Sequence, residues 1–78
     1  MISLRLILRS EWEAKLRHLG CAPQEGVTKL NTAEFWAFPW KGYPFTVPVE
    51  SNGRMTEQNL HRTMAMVRGE APEGWSFD

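Results

Sequence analysis

Residues 35–45, FWAFPWKGYPF, constrain the fold more than any other stretch, because two apolar runs flank the pair Lys41-Gly42. Runs at this spacing are typical of a β-hairpin whose two-residue turn places glycine at positive φ. The pairs that such a turn predicts are Phe38 with Phe45, Trp36 with Val47, and Glu34 with Val49. The sequence therefore predicts an antiparallel hairpin in the middle of the chain.

The predicted hairpin has one heavily apolar face and one lighter face, since side chains alternate along each strand. The heavy face carries Trp36, Phe38, Phe45, Val47 and Val49, and the light face carries Phe35, Ala37, Pro39, Pro44, Thr46 and Pro48. A sheet with one apolar face needs a cover of helices, so Trp36, Phe38 and Phe45 are predicted core residues. The nitrogens of Pro44 and Pro48 point away from the partner strand, which predicts an edge strand.

A first helix is predicted at about residues 11–19. Ser10 is a good N-cap residue, and Glu13 three positions later completes the S-x-x-E capping box. The apolar residues Trp12, Leu16 and Leu19 then line one face. Gly20 supplies the left-handed position that ends a helix.

A second helix is predicted from its N-cap, Thr56, to about Arg68, after a plain loop at residues 50–53. Its inward stripe is Leu60, Thr63, Met64 and Val67, while Glu57, His61 and Arg62 are predicted to face outward. Gly69, Pro72 and Gly74 end this helix. They leave an irregular tail whose Trp75 and Phe77 either dock on the body or bind something else.

The remaining segments have weaker patterns. Residues Ile2, Leu4, Leu6 and Leu8 alternate with mostly polar residues, which predicts an N-terminal strand. The alternative is a first helix that begins earlier, because Leu4, Leu8, Trp12 and Leu16 repeat every four positions. Residues 21–26 are predicted to form a loop, and residues 27–31 a short strand.

The predicted fold class is α+β, with a small three-stranded antiparallel meander sheet and two helices in the order αβββα, preceded by an extra N-terminal strand. A chain of 78 residues builds one core. We assign residues 1–68 to a single domain and residues 69–78 to an acidic aromatic tail. The opening residues lack the features of a signal peptide and no run has the length of a membrane span, so we expect a cytoplasmic location and no membrane partner.

Net charge and cysteine content limit which kinds of binding or metal site the chain is expected to have. The formal net charge is zero, but residues 1–68 hold nine basic and six acidic residues, and the tail holds Glu70, Glu73 and Asp78. The body is therefore mildly basic, and this small positive charge gives only weak electrostatic attraction to a nucleic acid. Cys21 is the one cysteine, so we predict neither a disulfide nor a metal site, and expect a reduced, passive thiol. We predict no cofactor.

Two groups of candidate site residues follow from these patterns. The RNA-binding candidates are the basic residues Lys29, Lys41, Arg54 and Arg62, and a base could stack on Trp40 or Tyr43. The candidates for an interaction surface are Trp40 and Tyr43 at the hairpin tip, together with Trp75 and Phe77 in the tail.

The order of elements resembles the HicA toxins, small bacterial mRNA interferases with a fold of the double-stranded-RNA-binding type. The resemblance rests on SEWEAKLRHLG at 10–20, TVPV at 46–49 and NLHRTM at 59–64. It implies an αβββα domain that binds RNA and is related to toxin–antitoxin systems. It also places the family's catalytic histidine at Ala33, which cannot transfer a proton. His18 and His61 are predicted to be solvated or capping residues, so we predict no catalytic residue.

Three functional hypotheses remain. The preferred one is a non-catalytic module for protein–protein interaction or self-association, through the hairpin tip, the tail or strand addition at the N-terminus. The alternative is an inactive HicA-like protein that binds RNA. The third is an active ribonuclease of the mRNA interferase type with an unrecognised site.

Overall fold

The chain is described here by a computed structural model, which covers residues 5–24, 32–40, 44–50 and 52–77. Its elements are β1 (Leu6–Ile7), α1 (Arg9–His18), β2 (Ala22–Pro23), β3 (Ala33–Ala37), β4 (Pro44–Pro48), β5 (Met55–Thr56) and α2 (Glu57–Glu70). Strands β2, β3 and β4 form a three-stranded antiparallel meander, and β1 pairs with β5. The predicted α+β class is confirmed.

The N-terminal strand is present, and its partner was not predicted. Leu6 pairs with Thr56 and Ile7 with Met55, so β1 lies beside the two residues that lead into α2. This decides between the two interpretations of the N-terminus, because Leu8 is extended and α1 begins only at Arg9. Residues 1–4 lie outside the described part of the chain.

The loop predicted at residues 21–26 is partly wrong. Ala22–Pro23 form the short strand β2, which pairs with β3, and the backbone N–H of Gln24 donates to the carbonyl of Phe35 at 2.8 Å. Proline was read as a loop signal, but at this edge of the sheet a missing donor is tolerated. The strand predicted at residues 27–31 lies outside the described residues.

The register of the hairpin differs from the predicted one by two residues. Trp36 pairs with Phe45 instead of Val47, and Glu34 pairs with Val47 instead of Val49. The last pair of the ladder in the described residues is Ala37↔Pro44, at the end of β3 and the start of β4. Just after β3 the ring of Phe38 stacks on that of Trp40, with centroids 5.3 Å apart. Lys41 and Gly42 lie outside the described residues.

The predicted faces survive this shift, because a change of register by an even number of residues leaves every side chain on its own side. The heavy face is buried throughout: Trp36, Phe38, Phe45, Val47 and Val49. Trp12 and Leu16 of α1 and Leu60 and Val67 of α2 pack against it in one core cluster. The light face is exposed or half-buried from Phe35 onward.

Strand β4 is an edge of the three-stranded sheet, as its prolines predicted. The N–H of Val49 donates to the carbonyl of Thr32 at 3.0 Å. Because inward and outward N–H groups alternate along a strand, the nitrogens of Pro44 and Pro48 point away from β3. The missing donors therefore cost no hydrogen bond in the ladder.

Helix α1 begins two residues earlier than predicted. Its N-cap is Leu8, which has no side-chain capping bond, so the capping box of Ser10 and Glu13 is wrong. Instead Glu13 accepts a hydrogen bond from Arg9 at 2.7 Å, one helical turn away. A tertiary ion pair that starts at Arg9 has replaced the local cap.

The end of α1 is the one predicted. Gly20 has φ +92, its N–H donates to the carbonyl of Arg17 at 2.9 Å, and the N–H of Cys21 donates to that of Leu16 at 3.1 Å. This pair of bonds is the Schellman motif, and it satisfies two carbonyls that the helix leaves free. Cys21 and Leu16, the residues that usually touch in this motif, both belong to the core.

Helix α2 also begins where predicted. The hydroxyl of Thr56 accepts a hydrogen bond from the N–H of Asn59 at 3.1 Å. Leu60, Thr63 and Val67 are buried, and Met64 is half-buried. The helix runs through Gly69 to Glu70, so this glycine does not end it. Within the described residues, neither helix is long and apolar enough to cross a membrane.

Burial makes the one cysteine a poor nucleophile. Desolvation of Cys21 raises the pKa of its thiol from 9.0 to about 11. At pH 8 the thiolate fraction is therefore about 100-fold lower than in the unfolded chain. We expect an aromatic disulfide reagent to label the folded protein at least about 100-fold more slowly than the protein in denaturant. Equal rates would contradict a buried thiol.

The same shift predicts a dependence of stability on pH. The folded-state pKa lies above the unfolded value, so the contribution of Cys21 is complete below about pH 9 and is lost as the pH rises through about 11. Denaturation of Cys21→Ala, measured across this range beside the natural chain, is expected to lack that part of the decline.

Candidate interaction site at the hairpin tip

The aromatic core continues outward to the hairpin tip through three rings in contact. Phe45 of β4 contacts Phe38, with ring centroids 4.5 Å apart. Phe38 in turn stacks on Trp40 at 5.3 Å and 25°. Trp40 is half-buried and packs against the core cluster. It thus extends the aromatic core to the hairpin tip.

The C-terminal tail folds back onto this extension. Trp75 meets Trp40 edge-on, with centroids 5.2 Å apart, and Phe77 meets it edge-on at 6.1 Å. A turn closed by the N–H of Trp75 and the carbonyl of Pro72, at 3.0 Å, redirects the chain after α2. We call Trp40, Trp75 and Phe77 the aromatic cap. The sequence left open whether the tail docks, and in the structure it does.

The aromatic cap is partly exposed to solvent, and one of its hydrogen-bond donors has no partner in the described residues. Trp75 is 39% exposed, one of three large exposed hydrophobic residues among those described. The indole nitrogen of Trp40 is buried, and no hydrogen-bond partner for it exists in the described part of the chain. A buried donor without a partner costs about 1–3 kcal/mol.

The predicted interaction residues are therefore brought together from two distant segments. Trp40, Trp75 and Phe77 form one cluster, while Tyr43 lies outside the described residues. The predicted RNA-binding residues are spread over separate elements: Arg54 is exposed just before β5, and Arg62 is exposed on α2. Lys29 and Lys41 lie outside the described residues.

A partly buried ion pair that the sequence did not predict joins α1 to the sheet. Glu34 of β3 is only 6% exposed, and the guanidinium of Arg9 binds both of its carboxylate oxygens. The indole of Trp36 also donates to Glu34, at 3.5 Å. A signal was available, because alternation places Glu34 on the heavy face beside Trp36, and a buried carboxylate requires a partner.

This ion pair links α1 to β3 and engages both oxygens of the Glu34 carboxylate. The hydrogen bond to Glu34 raises the pKa of Arg9, so the guanidinium stays charged. Arg9 also lies 5.0 Å from the ring of Trp12. Ala33, beside Glu34, is buried.

The two histidines of the described residues lie on separate helices and belong to no metal-binding cluster. His18 and His61 are exposed on different helices, as the sequence predicted. Across residues 5–24, 32–40, 44–50 and 52–77, no three His, Cys, Asp or Glu side chains cluster in a way that could hold a metal ion.

Comparisons with known proteins add no relative: no family model, curated protein or solved structure matches this chain. The HicA resemblance, with the RNA-binding role that it implies, therefore stays a prediction from sequence.

Proposed function

We propose that this chain is a non-catalytic binding module that engages a protein partner, or a second copy of itself, through the aromatic cap. The observation that carries the proposal is the half-covered tryptophan pair, in which an exposed Trp75 from the tail rests edge-on against Trp40. The cytoplasmic location predicted from the sequence belongs to this proposal.

Tryptophans of this kind are the usual energetic centres of protein interfaces. Indole rings supply large apolar area with few rotatable bonds, and a few such anchors carry most of the binding energy of an interface. Trp40 is held by Phe38 and the core, so a partner meets a surface that is already ordered. A partner that displaces or extends the tail can also supply an acceptor for the indole N–H of Trp40.

The test is the dependence of association on protein concentration in sedimentation velocity, from about 1 µM to about 1 mM, the range of weak docking. We expect a dimer at the upper end, and Trp75→Ala is expected to raise its Kd by at least about tenfold, as for an interface anchor. Leu6→Ala is the matched control, because Leu6 in β1 has the same exposure, 39%. Loss of the dimer in Leu6→Ala alone would move the interface to β1. A monomer at every concentration, together with capture of no partner by the natural chain, would contradict the proposal.

RNA binding is the second candidate, favoured by the exposed Arg54 and Arg62 and by the HicA resemblance. Affinity for RNA that rests on phosphates falls steeply with salt. An RNA complex that weakens in this way and is lost in Arg54→Glu would support this candidate over the first. We propose no catalytic role, because Ala33 stands where the resemblance requires a histidine.

A further inference from the structure

A groove between the two helices lies apart from the aromatic cap and from the Arg9–Glu34 ion pair. It has a volume of about 370 Å³ and is lined by Lys15, Leu60, His61, Met64, Ala65 and Arg68, which we call the helix groove. Ligand pockets usually measure about 300–1,000 Å³. The helix groove is therefore large enough for one or two side chains of a bound peptide.

The periodicity of α2 builds the groove. Residues 61, 64, 65 and 68 follow the spacing i, i+3, i+4, i+7, so they form one stripe along the helix. This stripe borders the buried one, which makes Leu60 and Met64 the apolar floor and leaves His61 and Arg68 exposed at the rim. Lys15 closes the groove from α1, on the flank opposite Arg9 and Glu13.

The charges of the rim are uncompensated within the described residues. Lys15 and Arg68 make no ion pair there, and no carboxylate lines the groove. Of the other described cations, Arg5 is bound to Glu57 and Arg9 to Glu13 and Glu34, whereas Arg17, Arg54 and Arg62 make no ion pair within the described residues. Placement near helix C-termini stabilises Lys15 and Arg68 through the helix dipole. The helix dipole explains why two cations lie at these positions, but it does not explain the apolar floor of Leu60 and Met64 between them.

We propose that the helix groove binds an acidic amphipathic segment of a partner protein. An apolar side chain of the segment packs on Leu60 and Met64, and carboxylates on either side bind Lys15 and Arg68. Charge complementarity sets the acidic character, and the flexible thioether of Met64 suits an apolar helix face. The floor is aliphatic, whereas sequence-tolerant RNA binding needs aromatic platforms along a basic track.

The probe is a fluorescein-labelled acidic peptide, EEALLEELLEEA, with its ends blocked, and its control is the same peptide with every glutamate replaced by glutamine. We expect saturable binding of the acidic peptide by fluorescence anisotropy and at least about tenfold weaker binding of the control. Lys15→Glu and Arg68→Glu are each expected to raise the Kd at least about tenfold. Met64→Ala is expected to weaken binding of the probe without changing its dependence on salt.

Arg62→Glu is the matched control, because Arg62 is exposed on the same helix but lies outside the groove. It is expected to change the Kd by less than about twofold. Trp75→Ala, which alters the aromatic cap, is expected to leave peptide binding intact, so this proposal and the proposed function fail independently. No binding of the acidic peptide, equal binding of the glutamine peptide, an equal loss in Arg62→Glu, or displacement of the peptide by an RNA oligonucleotide would each overturn the proposal. Circular dichroism and thermal unfolding check that every variant is folded.

Discussion

Replacement of Arg9 by alanine is expected to lower the free energy of unfolding by about 3 kcal/mol. The change leaves the carboxylate of Glu34, only 6% exposed, without its bidentate partner. Breaking a buried pair by removing one partner costs about 3–5 kcal/mol. The lower end applies because the Arg9 side chain is itself 40% exposed. Urea denaturation followed by tryptophan fluorescence measures the loss.

Two further variants separate burial from charge. Arg5→Ala breaks the surface pair with Glu57, whose side chains are 63% and 29% exposed, and is expected to change stability by less than about 1 kcal/mol. The double variant Arg9→Met/Glu34→Met removes both charges and keeps apolar volume, so it is expected to recover most of the loss. Equal costs for Arg9→Ala and Arg5→Ala would show that Glu34 is not held as a buried charge.

Replacement of Gly20 by alanine is expected to lower the free energy of unfolding by about 2–5 kcal/mol. Gly20 has φ +92, and a left-handed conformation costs about 1–2 kcal/mol for a residue with a Cβ. An added Cβ would also lie 3.0 Å from the Cβ of Pro39, and such overpacking costs about 1–3 kcal/mol. The clash would disturb the end of α1 and the start of the hairpin tip together.

The matched control is Gly69→Ala, which is expected to raise the free energy of unfolding instead of lowering it. Gly69 lies in the last turn of α2, and an added Cβ would meet nothing within 4 Å. Alanine is favoured over glycine inside a helix by about 1 kcal/mol. Thermal unfolding should therefore show a lower Tm for Gly20→Ala and a higher one for Gly69→Ala. A neutral Gly20→Ala would contradict the Schellman geometry.

For the candidate sites, the sequence predicted individual surface residues but not which of them lie together. Trp40, Trp75 and Phe77 were each predicted as interaction residues, but their contact joins positions 35 or more residues apart, and no local pattern encodes it. The helix groove was missed for the same reason. Its α2 stripe is visible in the sequence, whereas Lys15 enters it only once α1 and α2 pack on one sheet.

At the hairpin and at the start of α1, the structure differs from what the local sequence pattern predicted. The pair Lys41-Gly42 predicted that Trp36 lies opposite Val47, but Trp36 pairs with Phe45, so each pair is two residues from the predicted one. Ser10 and Glu13 predicted a capping box, but Arg9 uses Glu13 as part of its bridge to Glu34. At α1 the contact between Arg9 and Glu34, which joins distant elements, outweighed a local capping preference worth about 1 kcal/mol.

By itself the sequence determined the features that depend on a few neighbouring residues. These are the end of α1 at Gly20, the capping of α2 by Thr56, and the alternation that buries Trp36 and Val47 on one face. Backbone torsions and side-chain periodicity set such features within about one helical turn. Only the tertiary structure decided the strand register, the Arg9–Glu34 pair and the docking of the tail on Trp40, because each is a contact between segments far apart in the chain.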